Sequence, residues 1–166
     1  PPAIRLDRVV ISDGSLTYRS GTTVETVTGI DTFMVAQSLQ GPFRLEGGLT
    51  ARGIPMKLRA TIGELAVDRA IPLGLNATSE GIEFAVNGVV SGYPNELRLS
   101  GRAEAKVADA GKAAAAIGGA PAPAMLAGKA MAIEGTLTAN LAASTLSIND
   151  LSARFGDINA TGALNL

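Results

Sequence analysis

The sequence predicts a mainly β, antiparallel fold built from long strands, and three observations carry that prediction. The first is a two-residue alternation of apolar and polar side chains. Phe43, Leu45, Gly47, Leu49 and Ala51 alternate with Arg44, Glu46, Gly48, Thr50 and Arg52, and Ile54, Met56, Leu58, Ala60 and Ile62 with Pro55, Lys57, Arg59, Thr61 and Gly63. The same period returns at Ile82, Phe84, Val86, Gly88 and Val90, at Leu97, Leu99, Gly101, Ala103 and Ala105, from Met131 through Ile133, Gly135 and Leu137 to Leu141, and from Ile158 to Leu166. Successive side chains of a strand point to opposite faces, so each run is a strand with one apolar and one polar face. The second observation is that these runs are not continuously apolar, as parallel strands buried on both faces would be. The third is their length, about ten residues or roughly 33 Å, against about 5–6 residues in a typical strand.

Taken in order, a first hairpin is expected from Ile4 to about Arg19, turning at Ser12-Asp13-Gly14-Ser15, where Asp-Gly supplies positive φ. The alternation slips at Asp7-Arg8-Val9-Val10, which reads as a bulge. Gly21 to Thr28 reads as a short strand and Ile30 to Leu39 as another, with Phe33, Val35 and Leu39 against Met34, Ala36 and Ser38. Gly41-Pro42 breaks into the clearest hairpin, joined at Arg52-Gly53, with Pro55 on the polar face at a strand start. Glu64 to Ile71 reads as a loop with room for one helical turn, and Pro72 precedes a strand from Leu73 through Leu75 to Ala77. Turns follow at Glu80-Gly81 and Gly92-Tyr93-Pro94-Asn95.

The region 107–127 departs from β and is expected to hold one or two short helices, as an insertion in a single domain spanning 1–166. Asp109 is placed to cap a helix that runs to Ile117, with Ala110, Ala113, Ala114 and Ile117 on one side and Gly118-Gly119 as the stop. Pro121 to Gly128 reads as a loop or second turn. Strands resume from Lys129, with turns near Ala142-Ala143 and Gly156-Asp157. The packets Arg44–Gly63, Ile82–Gly101 and Ile133–Leu164 each carry a glycine followed within two residues by leucine or valine, either a weak internal repeat or the ordinary look of a meander.

Composition narrows the function. The chain has 166 residues, 46% hydrophobic but only 4% aromatic, with a mean hydropathy of +0.27. No apolar stretch approaches the ~20 residues of a membrane-spanning helix. A net charge of −1 with interspersed signs, and no basic cluster, argues against a nucleic-acid partner. The absence of cysteine excludes disulfides and thiolate metal sites, and the absence of histidine removes the usual general base. With no GxSxG context and no histidine, a catalytic triad cannot be built. The 15 carboxylates sit on polar strand faces or at turns, and no pair stands out for acid–base work. Asn149-Asp150 and Gly156-Asp157 read as hairpin chemistry, not a calcium loop. The 20 glycines match no phosphate or dinucleotide loop. A non-catalytic protein without metal or cofactor is the expectation.

What remains is the apolar face, and two readings of it stay open. It is the core of a closed β-sandwich or spacer domain, two sheets burying each other, or the wall of a trough that holds an aliphatic ligand. Small aliphatic residues, few rings, long strands and only one helix to serve as a lid favour the trough, while composition alone puts the sandwich ahead. The candidate wall comprises Phe43, Leu45, Leu49, Met56, Leu58, Ile62, Phe84, Val86, Leu97, Leu99, Ile133 and Leu137.

Several segments, in order, resemble the AsmA family of Gram-negative envelope proteins, related to the TamB group and to bridge-like lipid transfer proteins. Val10-Ile11-Ser12-Asp13-Gly14-Ser15-Leu16-Thr17-Tyr18 is similar to the family's strand–glycine–strand motif. Ser38-Leu39-Gln40-Gly41-Pro42-Phe43-Arg44-Leu45-Glu46-Gly47 resembles the strand that leads into its repeated hairpin. Val107-Ala108-Asp109-Ala110 before Ile117-Gly118 stands where the family has a short helix and a proline segment. Gly135-Thr136-Leu137 through Leu151, then Phe155-Gly156 and Gly162-Ala163-Leu164, resemble its closing strands. The resemblance implies a long curved antiparallel sheet forming an open groove, located in the periplasm, with the parent protein tethered to the inner membrane. It implies handling of phospholipid or another aliphatic lipid, a role in lipid transport and outer-membrane assembly, and envelope proteins and neighbouring repeats of the parent chain as further partners. The family's N-terminal membrane helix is not among these residues, and both ends of the chain read as cut within strands. Unpaired outer edges are therefore expected near Ile4–Ile11 and Ile158–Leu166.

Overall fold

A computed structural model describes residues 6–20, 23–51, 53–118, 124–140, 143 and 145–165. Ten strands, β1 (Leu6–Ser20), β2 (Thr23–Ala36), β3 (Phe43–Ala51), β4 (Ile54–Ile62), β5 (Ile71–Ser79), β6 (Ile82–Ser91), β7 (Arg98–Val107), β8 (Met131–Asn140), β9 (Thr145–Phe155) and β10 (Ile158–Asn165), form one antiparallel sheet. Their spatial order is their chain order, a meander in which each strand pairs only with its sequence neighbours. Between β7 and β8 lie a helix, α1 (Ala110–Gly118), and a 3-10 turn at Ala124–Leu126. Among the described residues no second sheet covers either face, and β1 does not pair with β10. The closed sandwich is thereby excluded for these residues, and the open groove stands.

The central strands follow the alternation residue for residue. In β3–β4 the register sets Leu45 opposite Ala60, Gly47 opposite Leu58 and Leu49 opposite Met56, so the apolar series of both strands share one face. The tight turn there contains Gly53 at φ 77°, a left-handed conformation open to glycine at little cost. Glu46 and Arg59, directly opposite on the other face, form an ion pair at 2.8 Å.

The edges are built differently from expectation. β1 is one strand from Leu6 to Ser20, not a hairpin, and Asp13 (φ 50°) with Gly14 forms a bulge opposite Ile30. β2 likewise runs unbroken from Thr23 to Ala36, with Gly29 (φ 56°) bulged rather than separating two strands. Asn149-Asp150 is not a hairpin turn either: Asp150 (φ 51°) is a bulge inside β9. A bulge uses the same positive-φ chemistry as a tight turn but lets the strand continue. The slip at Asp7–Val10 is a bulge, as read, since β1 advances three residues between Leu6 and Val9 while β2 advances two.

Smaller corrections follow. β5 begins at Ile71 and includes Pro72, and Ile71 is the most deeply buried side chain at 2% exposure. Residues 63–70 are a loop with a turn and no helix, tied back by the Leu65 N–H donating to the Gln40 carbonyl at 2.7 Å. β7 begins at Arg98, leaving Leu97 in the preceding connection. Ile4, Gly21, Arg52, Gly119, Pro121, Ala142 and Leu166, which bound several expected elements, lie outside the described residues.

Helix α1 forms where the cap predicts it. Asp109 Oδ1 accepts from the N–H groups of Gly111 (2.9 Å) and Lys112 (3.1 Å), satisfying two donors of the first turn, and from Gly128 (3.1 Å) across the insertion. Chiefly through the Lys112 N–H bond, this holds the Asp109 carboxyl below the usual aspartate range. Ala110 and Ala113 are buried and Ala114 is half-buried, three of the four residues of the expected side; the side chain of the fourth, Ile117, lies outside the described residues.

Candidate functional site

Register across the sheet turns isolated strand patterns into a continuous surface. One row of directly opposed residues runs Ile11, Thr32, Gly47, Leu58, Ala77, Phe84, Ala105, Ile133, Ala153, Ala160, crossing all ten strands. A second runs Leu6, Ala36, Phe43, Ile62, Leu73, Gly88, Gly101, Leu137, Ile148, Leu164. Between them lies a third, Val9, Met34, Leu45, Ala60, Leu75, Val86, Ala103, Gly135, then Leu151 and Gly162 beyond the β9 bulge. From β3 to β10 no charged residue stands on this face, whereas the opposite face carries Arg44, Glu46, Lys57, Arg59, Glu83, Arg98, Arg102, Glu104, Lys106, Glu134 and Arg154. Nine inter-strand spacings at about 4.8 Å make the rows about 43 Å long.

The sheet curls toward the apolar face. Gly88 and Gly101 are opposed on it, and a Cβ on either would come within 2.7 Å of the other's Cα. A Cβ on Gly135 would meet the Ile148 side chain at 2.6 Å. Backbones approach this closely only where the sheet is strongly coiled, and glycine permits it. Val86 is only 4% exposed although no second sheet lies over it among the described residues, as expected on the inside of a curved sheet. Most other members of the face, Leu45, Leu58 and Leu99 included, are half-buried, and Phe84 is 37% exposed.

Eleven of the twelve predicted wall residues therefore stand together on the concave face, by the register of β3, β4, β6, β7 and β8. The twelfth, Leu97, is half-buried just outside β7. Leu73, Leu75 and Ala77, outside the expected wall, also stand on the concave face, and their alternation in the sequence is the signal that marks them. The sequence pattern alone does not orient β2, because Phe33/Val35 and Met34/Ala36 are both apolar series. Pairing with Leu45 and Phe43 puts Met34 and Ala36 on the concave face. Phe33 lies on the other, with the Arg8 guanidinium 5.1 Å from its ring centroid.

From β3 to β10, charge within the strands is confined to the convex face. Arg102 bridges Glu104 (3.2 Å) and Glu134, two carboxylates that face each other across β7–β8. The Glu134 hydrogen bond raises the Arg102 pKa further, as the Glu46 bond does that of Arg59. A cleft of about 480 Å³ lies at the insertion end of the sheet and draws Glu83, Lys106 and Arg154 from the convex face. No cluster of acidic residues able to hold a metal ion occurs among the described residues, and no helix among them is long and apolar enough to cross a membrane. The face can do one thing chemically, which is to take apolar surface out of water. No family model matches the chain, and neither the curated proteins nor the solved structures provide a significant match.

Proposed function

We propose that the chain is a non-catalytic lipid-handling groove, a segment of an AsmA-like protein of the Gram-negative periplasm whose parent is anchored in the inner membrane. One observation carries the reading: two unbroken rows and a third interrupted at the β9 bulge, all of uncharged, mostly aliphatic residues, cross ten strands on a concave face that no second sheet among the described residues covers. A contiguous apolar surface of this extent marks an interaction site. Each methylene taken from water gains about 0.8 kcal/mol, so even half-burial of a sixteen-carbon chain gains on the order of 6 kcal/mol. One acyl chain occupies about 15 Å, half the ~30 Å hydrocarbon thickness of a bilayer. The trough is longer than that, and its rows repeat the same chemistry at every strand. A chain bound anywhere along it meets nearly equal affinity one strand further on, which suits passage rather than storage. The ordered resemblance to AsmA segments supports the same assignment. Native mass spectrometry of the protein purified from a Gram-negative host tests it: phospholipid adducts that survive gentle desolvation are expected, and a protein free of lipid under all mild extraction conditions would overturn it.

A further inference from the structure

Four directly opposed residues of the convex face, Glu83, Lys106, Ala132 and Arg154, form one row across β6 to β9, and all four line the cleft at the insertion end. Lys106 and Arg154 stand two inter-strand spacings apart, about 10 Å. The residue between them is alanine, whose side chain ends at Cβ, and Ala130 and Gly156 extend this low floor toward the insertion. The two cations therefore border a hollow of about 480 Å³ with no long side chain between them. Arg59, Arg98 and Arg102 are each held by a glutamate. Among the described residues no carboxylate lies within ion-pair distance of Lys106 or Arg154, although Glu83 is opposed to Lys106 by register. Glu104 and Glu134, in the next row, are bridged by Arg102. Arg154 is nonetheless anchored: its Nε donates to Asn159 Oδ1 on β10 at 3.2 Å, which leaves both Nη groups to act as a fork.

We propose that this cleft binds a phosphate group, gripped by the Arg154 fork on one side and by the Lys106 ammonium on the other, above Ala132. A planar guanidinium matches two phosphate oxygens at once and an ammonium adds a point charge, so the pair suits a tetrahedral oxyanion. The lining carries two cations against the single carboxylate of Glu83, a net positive charge that favours an anion. A lipid head group and free phosphate present the same chemistry. Val107 and Met131, which belong to the concave face, also line the cleft, so it adjoins the end of the trough. The proposal itself does not depend on what the concave face binds.

Titration of the 166-residue chain with inorganic phosphate at constant ionic strength, followed by amide chemical shifts, tests the site. Saturable shifts are expected at Lys106, Ala132, Arg154 and Gly156. Lys106→Gln and Arg154→Gln, both at exposed positions where the fold is retained, should each weaken binding at least about tenfold. Arg98→Gln, an equal loss of charge at the other end of β7, should leave it unchanged. A short-chain phosphatidic acid below its micellar concentration then separates the two sources. Binding at least about tenfold tighter than that of inorganic phosphate, and weakened in Arg154→Gln, assigns the site to a head group; binding no tighter assigns it to free phosphate. Shifts that rise without saturation, or binding indifferent to both glutamine variants, would overturn the proposal. Inorganic phosphate has no acyl chain, so that failure is distinct from a failure of the lipid reading.

Discussion

Placing an aspartate at Leu58 separates a lipid-facing trough from a packed core. Leu58 lies mid-strand in β4, between Gly47 and Ala77 on the concave face, and is half-buried with no layer above it. Full burial of a leucine contributes about 1.5–3 kcal/mol, so truncating a half-buried one forfeits about 0.8–1.5 kcal/mol. The poor fit of aspartate to a strand adds up to about 1 kcal/mol. The carboxylate itself stays in water, because the empty face is open. A loss of about 2 kcal/mol is well within the ~5–15 kcal/mol stability of a domain, so Leu58→Asp should fold. Lipid retention is affected more. A chain that must lift three methylenes off the hydrated carboxylate loses about 2.4 kcal/mol, roughly fiftyfold in affinity. Val86→Asp is the contrast, since at 4% exposure its carboxylate would be buried without a partner and the fold should collapse. Thermal melts and extracted lipid would be read together on both variants. If Leu58→Asp unfolds as Val86→Asp does, the face is a covered core and the argument fails.

Other consequences are independent of the lipid. Leu99→Asp, also half-buried on the concave face, should behave like Leu58→Asp in both melting and lipid content. Gly88→Ala should cost about 1–3 kcal/mol in chemical denaturation, because its Cβ would overlap the backbone of β7, whereas Gly162→Ala, with nothing within 4 Å, should be neutral or slightly stabilising. Arg102→Gln leaves Glu104 and Glu134 facing each other unbridged, so its melting temperature should fall at low ionic strength and recover with salt. The Asp109 carboxyl is held below its unfolded value, so its contribution to helix α1 is present above the ordinary aspartate pKa and lost as pH falls through the lowered one. Hydrogen exchange of the Gly111 and Lys112 amides should accelerate at the acid end of that window and, in Asp109→Ala, at every pH.

The strands were legible in the sequence wherever one face is charged and the other is not. Arg44/Glu46 against Phe43/Leu45 leaves a single orientation, and the register of β3 through β8 follows it. The helix was legible because Asp109 and Gly118 mark its ends chemically. The edges were not legible, for a physical reason. Asp13-Gly14 and Asn149-Asp150 supply positive φ, which serves a hairpin turn and a bulge equally well. Only the partner strand decides: Gly14 is opposed by Ile30 and not by its own neighbours, so the chain continues. Openness was also beyond local reading. Alternation states that one face avoids water, and says nothing of whether a second sheet, a ligand or curvature provides the cover. The glycines on the concave face hold part of that answer, since Gly47, Gly88, Gly101 and Gly135 stand where backbones crowd. In the sequence they look the same as the glycines of ordinary turns.

Under the proposed function, aliphatic lipid lies along the concave rows and nowhere else. Paramagnetic broadening of the protein's methyl resonances by a phospholipid spin-labelled near the end of its acyl chain measures this directly. Broadening is expected at Leu45, Leu58, Leu75, Val86 and Ile133, which the register places on the concave face, with the Val89 and Thr61 methyls of the convex face unaffected. Broadening on the convex face, or none on either at lipid concentrations that saturate the protein by mass spectrometry, would contradict it.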